Sequence, residues 1–429
     1  MADEAFNGMG KCCRGNDVMG EYQSDKLPKS QARWLIPAVL IGSSGVSILS
    51  TDLYTPSLPH LPDLLDSDPK TVQLTMSLNI LAYSIAQLVH GPLSDRIGHR
   101  KLLAGALISF CFVSIGCALA WSVEALIAGR VLQGFFGSVP SVVVILVIRS
   151  LYSREESIQL MSIYGVVIGL VPAVGPIIGG YIFVWLGWQA NFYALAGMAV
   201  VMCFFVWKIL PDTGYPDPNA LKFRKIASGY GQLMVNLSFW RYAILMICVT
   251  GSLYTYLTAG TFVVIQRLGV ATENFGYFHG IVVVAYMVGS LGVGRLAKRI
   301  DSHLLVSTGC VIALVSGGLL FIPVMIGVED LYVLAAGMML FGMGIGFVFA
   351  TGPVFIMEAA GDGQRSSASA LSGSMQMAGG AFGGLIVGMM YDGTALPMVT
   401  VMGGILSFGC IAYFILGFLT EKVELKEKV

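Results

Sequence analysis

Residues 91–101 read Gly91-Pro92-Leu93-Ser94-Asp95-Arg96-Ile97-Gly98-His99-Arg100-Lys101. Three cations and one acid are crowded between glycines, with a long apolar run on either side. The string G-x-L-x-x-R-I returns 203 residues later as Gly294-Arg295-Leu296-Ala297-Lys298-Arg299-Ile300. The first copy follows the second apolar run of the chain. The other follows the second apolar run after the polar interruption at 211–237. A repeat at matching points of two halves reads as duplication. Two six-span halves with a substrate site between them near the midplane are the plan of a membrane transporter.

Composition agrees with that reading. Apolar residues make up 56% of the 429 residues and charged ones 12%, against roughly 25% charged in a soluble chain. One span needs about 20 apolar residues, so the chain can supply about twelve. A soluble globule, a disordered chain, a disulfide scaffold and a collagen are excluded. Zero net charge gives no footprint for nucleic acid.

The runs place spans at 34–59, 71–91, 102–121, 124–149, 158–184, 189–210, 238–266, 275–297, 303–327, 330–357, 367–391 and 395–419. The expected fold is an all-α integral membrane protein, with twelve transmembrane helices in two pseudo-symmetric six-helix bundles. Its expected parts are a tail at 1–33, a bundle at 34–210, a linker at 211–237, a second bundle at 238–420 and a tail at 421–429. The first tail is polar, with no apolar core of a signal peptide, and is read as cytoplasmic. Of the 25 basic residues, all but Lys70, Arg130 and Arg267 fall on the side of both termini. That bias puts both termini in the cytoplasm. Six of the eight Cys lie in apolar runs, and Cys12-Cys13 lies in the first tail.

Further motifs carry a family resemblance. The 91–101 string resembles the loop signature of the major facilitator superfamily, and Arg130-Val131-Leu132-Gln133-Gly134 resembles its fourth-helix R-x-x-Q-G motif. Residues 169–180, reading GLVPAVGPIIGG, resemble the fifth-helix motif of its antiporters. Asp52-Leu53-Tyr54-Thr55-Pro56-Ser57-Leu58-Pro59 is similar to the first-helix end of twelve-helix drug:proton antiporters. Gln73-Leu74-Thr75 and Gly187-Trp188-Gln189 fit the bicyclomycin/chloramphenicol resistance (Bcr/CflA) subfamily. The specific motifs crowd into the first half. The resemblance implies a proton-coupled exporter of small, partly apolar molecules, working by alternating access as a monomer in a bacterial inner membrane.

Each motif also has a physical reading. Gly91 and Gly98 are expected to allow a tight turn between spans 2 and 3. Arg96, Arg100 and Lys101 anchor that loop at a cytoplasmic surface. The resemblance implies that Asp95 latches the halves there, with the start of span 11 (Ser366, Ser367, Ser369) as partner. The second copy has Lys298 where Asp95 stands. Gly165, Gly169, Ala173, Gly175, Gly179 and Gly180 form a small-residue face for close helix packing. Pro172 and Pro176 each remove a backbone donor. The functional reading of Gly169, Pro172, Gly175, Pro176, Gly179 and Gly180 is a hinge between the halves that limits leakage. Span 4 ends Arg149-Ser150-Leu151-Tyr152, without the acid usual in the subfamily. Arg149 is therefore expected to pair with Asp95 or Glu155.

Asp52 and Arg130 stand out, because ionisable groups in a bilayer cost about 2.5–3.5 kcal/mol each on insertion scales and are usually functional. Both are placed about 10 Å from an outer helix end, so a shared cavity is expected. They read either as a structural ion pair or as the proton-coupling site. Desolvation and a nearby guanidinium act on such a carboxyl in opposite directions. Asn79, Tyr83 and Gln87 share a helix face. They either line the substrate cavity or bond between helices. Tyr54, Gln133, Tyr254, Tyr256, Tyr286 and Gln376 complete the expected cavity. The adaptable Met338, Met339 and Met343 are chiefly packing residues that would also suit a loose apolar site.

Enzyme parts are missing. The five His (His60, His90, His99, His279, His303) lack metal-ligand spacing. Gly10-Lys11 is not a phosphate loop. The expected partners are a small-molecule substrate, protons and lipid, with no cofactor and no metal. The competing readings are proton-coupled uptake of a metabolite and a membrane sensor or scaffold that does not transport.

Overall fold

A computed structural model describes residues 32–211, 231, 233–297, 299–361 and 365–427. The side chains of Asp95, Arg149, Glu155, Ser366 and Ser367 lie outside the description, and so do Lys298 and the tail with Cys12 and Cys13. Twelve long helices occur among the described residues. In the first half they are α1 (Ala32–Asp52), α2 (Pro69–Ile97), α3 (His99–Ala118), α4 (Val123–Leu151), α5 (Arg154–Leu186) and α6 (Trp188–Ile209). In the second half they are α7 (Leu237–Thr261), α8 (Thr272–Leu296), α9 (Ser302–Met325), α10 (Leu331–Ala360), α11 (Arg365–Met390) and α12 (Leu396–Glu427). A π-helical turn, Phe262–Arg267, extends α7.

Eleven stretches of the described residues are long and apolar enough to cross a bilayer. α11 is the helix outside that set. Its sequence, rich in Gly, Ser and Met, gives up hydropathy for close approach, because α11 packs along α2 and α7 in the middle of the molecule.

Short connections make the helices run alternately. Residue 32 marks the near end, and the α2 start at Pro69 marks the far end. At the far end, the side chains of Asp68, Ser122 and Asp330 cap the starts of α2, α4 and α10. Asp68 accepts bonds from Lys70 N (2.9 Å) and Thr71 N (3.1 Å) at the start of α2. The Thr71 hydroxyl, with the Thr71 and Lys70 N–H groups, holds the Asp68 carboxyl below the usual carboxylate range.

Two expected boundaries move. Span 1 was expected to run to Pro59, but α1 stops at Asp52. Pro56 has no N–H to donate to the Asp52 carbonyl, so the α-helical ladder cannot continue. The chain tightens instead into a 3₁₀ turn, Thr55–His60, and one helical turn, Leu61–Leu64. The turn expected from Gly91 is also absent. Gly91 and Pro92 lie inside α2, which runs to Ile97. Gly98 alone reverses the chain, at φ +91°, a conformation that glycine reaches without strain.

Packing shows the duplication. In the first half α2 lies on α4 and α3 on α6. In the second half α8 lies on α10 and α9 on α12. The halves meet along two seams, α2 with α11 and α5 with α8. Exchanging the halves turns α2 into α8 and α11 into α5, so each seam maps onto the other.

Candidate functional site

Arg130 is completely buried on α4. Its Nη1 donates to the Ser50 carbonyl (2.8 Å) and to Gln133 Oε1 (2.6 Å), and its Nε donates to the Thr75 carbonyl (3.4 Å). The guanidinium lies over the Tyr54 ring, 4.9 Å from its centroid. Asn79 Nδ2 donates to the Arg130 carbonyl (2.7 Å), and Gln133 Nε2 donates to Ser114 Oγ (2.8 Å). Tyr54 is bonded to Thr75 Oγ1 at 2.9 Å and packs against Phe192. One cation thus ties α1, α2 and α4 together through main-chain oxygens. Gly134 permits this, because a side chain there would meet the Asn79 backbone on α2.

Asp52 is buried too, but on another face. Its Oδ2 has no hydrogen-bond partner. α5 lies directly against it: a Cβ on Gly175 would come 2.8 Å from Asp52 Cβ. No ion pair joins Asp52 and Arg130. Arg130 is satisfied by neutral groups on the side of α2 and α4, while Asp52 faces α5.

The expected cavity residues divide. Tyr54, Asn79, Gln133 and Tyr256 are sealed inside a single half. Tyr256 bonds to His279 Nδ1 at 3.1 Å and stacks on that ring. Tyr83, Tyr254, Tyr286 and Gln376 are half-buried. Tyr83 donates to Ser141 Oγ (2.8 Å) on α4, and Tyr254 donates to Met377 Sδ (3.9 Å) on α11. Of the shared α2 face, Asn79 and Tyr83 both serve interhelical bonding.

The far end is plugged across the halves. His60 Nε2 and Thr272 Oγ1 are 2.8 Å apart, and Gln266 Nε2 donates to the Pro59 carbonyl. Gly179 lies so close to α1 that a Cβ would fall 1.9 Å from the Leu53 carbonyl oxygen. Gly180 abuts Thr272 and Glu273 at the start of α8, and Gly276 abuts Ile177. The fifth-helix glycines 175, 179 and 180 are therefore contact points with α1 and α8. Gly169 faces open space. Pro176 is buried, Pro172 is half-buried, and α5 stays continuous through both.

Sequence reasoning missed two parts of this interface. Gln73 is fully buried with neither amide atom bonded, and the hydroxyls of Thr258 and Thr261 are also buried without partners. Gln73 packs against Gly388, and Ser77 and Thr258 pack against Gly384. At mid-membrane, Ser84 Oγ donates to the Ser374 carbonyl (2.8 Å) and Ser374 Oγ donates to the Ser84 carbonyl (2.9 Å). Lone serines and threonines in apolar runs give no sign of such pairing. At the near end, Arg96 is exposed. Arg100 binds the Trp207 carbonyl and stacks on that indole at 4.9 Å, which ties α3 to α6 of its own half.

Two six-helix halves around a buried carboxyl, plugged at one end, define a helical secondary-transporter architecture. The sequence profile of the Major Facilitator Superfamily matches residues 40–384, and the chain belongs to that family. It is 28% identical over 388 residues to a chloramphenicol resistance protein of Pseudomonas aeruginosa, covering 88% of this chain and 89% of that one. It is also 28% identical to a bicyclomycin resistance protein homolog of Haemophilus influenzae, covering 86% and 92%. Multidrug resistance protein D of Escherichia coli is 25% identical, over 71% and 76%. These relatives match the expected Bcr/CflA subfamily. Among solved structures, a bacterial homolog of the human lysosomal transporter Spinster, inward-facing and unoccupied, superimposes with a TM-score of 0.73. Its identity is 12%, over 91% of this chain and 98% of that one. The nucleoside transporter NupG gives 0.69 at 15% identity, over 90% and 100%. Both show the fold.

Proposed function

We propose that the protein is a proton-coupled exporter of small, partly apolar molecules, working by alternating access in a bacterial inner membrane as a monomer. Both termini are cytoplasmic in this reading, so the plugged far end faces outward and the structure is closed to the outside. Residues 1–33 and 421–429 are tails, 211–237 links the bundles, and the chain is no enzyme.

The observation that carries the proposal is Asp52. Its carboxyl is buried at the end of a broken helix, with an unpartnered oxygen, where α1 meets the α5 plug. A buried polar atom without a partner costs about 1–3 kcal/mol. Gln73 and Thr258 add further unpartnered atoms toward the far end of the α2–α11 seam. Opening the far end would hydrate them, so the interface suits a two-state device. Asp52 carries the proton in this reading, Arg130 holds the surrounding helices in place, and Tyr83, Tyr254, Tyr286 and Gln376 line the solute path. Asp95 latches the near end when that end closes. The resistance proteins among the relatives favour export and a drug-like solute.

The test is proton release from purified protein in vesicles when candidate antibiotics are added. Asp52→Asn is expected to lose pH-gradient-driven export while still binding a neutral substrate. Full coupling in Asp52→Asn would exclude this residue as the carrier. Cells lacking the protein should accumulate more of the labelled solute; lower accumulation would mean uptake. Labelling of the 211–237 loop from outside intact cells would reverse the orientation.

A further inference from the structure

The α5–α8 seam is closed at the far end but opens into a groove nearer the midplane. Its volume is about 930 Å³. Ala173 and Ile177 of α5 form one wall, Gly280 and Ala285 of α8 the floor, and Met339 and Met343 of α10 the other wall. The small residues at 173, 280 and 285 create the space, and the flexible methionines give it an adaptable side. Val174, Ile281, Val284 and Val288 are exposed along it, so the groove opens sideways toward lipid.

Three features define what fits. First, the lining is hydrocarbon and thioether throughout, apart from Tyr277 at the far mouth. A pocket for a drug-like solute needs a few placed polar groups to orient it, and this one offers none along its length. Second, the groove follows α8 from Tyr277 to Val288, roughly 16 Å at about 1.5 Å per residue. One leaflet of a hydrocarbon core about 30 Å thick is roughly 15 Å deep. Third, the mouth carries interfacial groups. Tyr181 Oη and Tyr277 Oη are 3.2 Å apart, and the exposed Trp185 packs on Tyr181 at 5.4 Å. Such aromatics mark the headgroup level of a membrane.

We propose that this groove is a phospholipid site, holding one acyl chain of the far leaflet with the ester region at the Tyr181–Tyr277 pair. The chain touches α5 of the first half and α8 and α10 of the second. It therefore makes its full contacts only while the seam has this shape. A ligand that binds one state better draws the protein toward that state. The lipid acts as a wedge that favours the far-closed conformation.

The test is native mass spectrometry of the full chain, extracted in mild detergent and washed until loosely held lipid is gone. One phospholipid per chain should remain on the wild type. Ala285→Trp and Val288→Phe, which fill the floor and the near end of the groove, should each lower that occupancy at least tenfold. Val315→Trp, on the exposed face of α9, should leave it unchanged. Gel filtration and helical circular dichroism identify the folded variants, and the two groove positions are independent, so one folded variant is enough. Failure of the wild type to retain phospholipid would overturn the proposal. Equal occupancy in a folded groove variant would overturn it too, as would retention of a phosphate-free apolar solute in place of lipid. The readout needs no transport, so it stands apart from the question of proton coupling.

Discussion

At the residue scale, the two membrane charges have separate roles. The sequence marked Asp52 and Arg130 as costly groups to bury, and both are buried. It did not reveal which groups they face. Arg130 takes Ser50 and Thr75 through their carbonyl oxygens, and a carbonyl belongs to every residue, so no sequence pattern announces it. Arg130 accordingly reads as a tie between helices more than as an electrostatic tuner of Asp52. Arg130→Ala would strand the buried Gln133 Oε1, at about 1–3 kcal/mol, and would remove the ties to the Ser50 and Thr75 carbonyls that join α1 and α2 to α4. A clear drop in melting temperature is expected. Arg130→Lys keeps the charge but loses the planar fork, so it should recover only part of the loss. Thermal unfolding in detergent measures both. If Arg130→Ala melts like the wild type and shifts only the pH profile of export, the tuning role is the correct one.

At the element scale, most helices were legible because apolar runs broken by charge fix where a chain can cross lipid. The exceptions have local causes. Pro56 ends α1 early and leaves Asp52 at a helix terminus, which the run of apolar residues up to Pro59 conceals. Pro92 looks like a turn residue but lies within α2. The small-residue face of α5 was legible as a packing surface. The individual importance of each glycine was not, because it depends on what lies opposite. Gly179 faces the Leu53 carbonyl and Gly165 faces open space. Gly179→Ala should therefore push α5 off the end of α1, with an overpacking cost of about 1–3 kcal/mol. It should also raise the labelling of the plug from the far side. Gly165→Ala should match the wild type in both respects. Labelling of a single cysteine at Thr272 in each background reads this out. Equal reactivity in the two would show that α5 tolerates the methyl and that the plug does not depend on glycine at 179.

At the scale of the whole molecule, the repeat of G-x-L-x-x-R-I made the two halves visible, but not how they move. The structure supplies the missing geometry in its two exchangeable seams. The α2–α11 seam carries opposite features at its two levels. Near the far end, Gln73 and Gly388 meet without a hydrogen bond between them. At mid-membrane, Ser84 and Ser374 hold each other's carbonyls, with their hydroxyls 3.4 Å apart. A reciprocal clasp at the centre of a seam suits a pivot, and an unsatisfied contact at its end suits a gate. When rigid halves rock, points on the axis stay together and points away from it separate. Cross-linking distinguishes the two levels. In a background without native cysteines, oxidising Ser84→Cys/Ser374→Cys should leave at least half of the transport rate. Oxidising Gln73→Cys/Gly388→Cys should abolish transport, and reductant should restore it. The far pair is well placed to close, because Gln73 Cβ lies 3.4 Å from where a Cβ at 388 would stand, near the Cβ separation of about 3.5–4.5 Å in disulfides. Arrest by the Ser84/Ser374 link would mean that α2 and α11 slide past each other, and the centre of motion would then have to be sought on the α5–α8 seam.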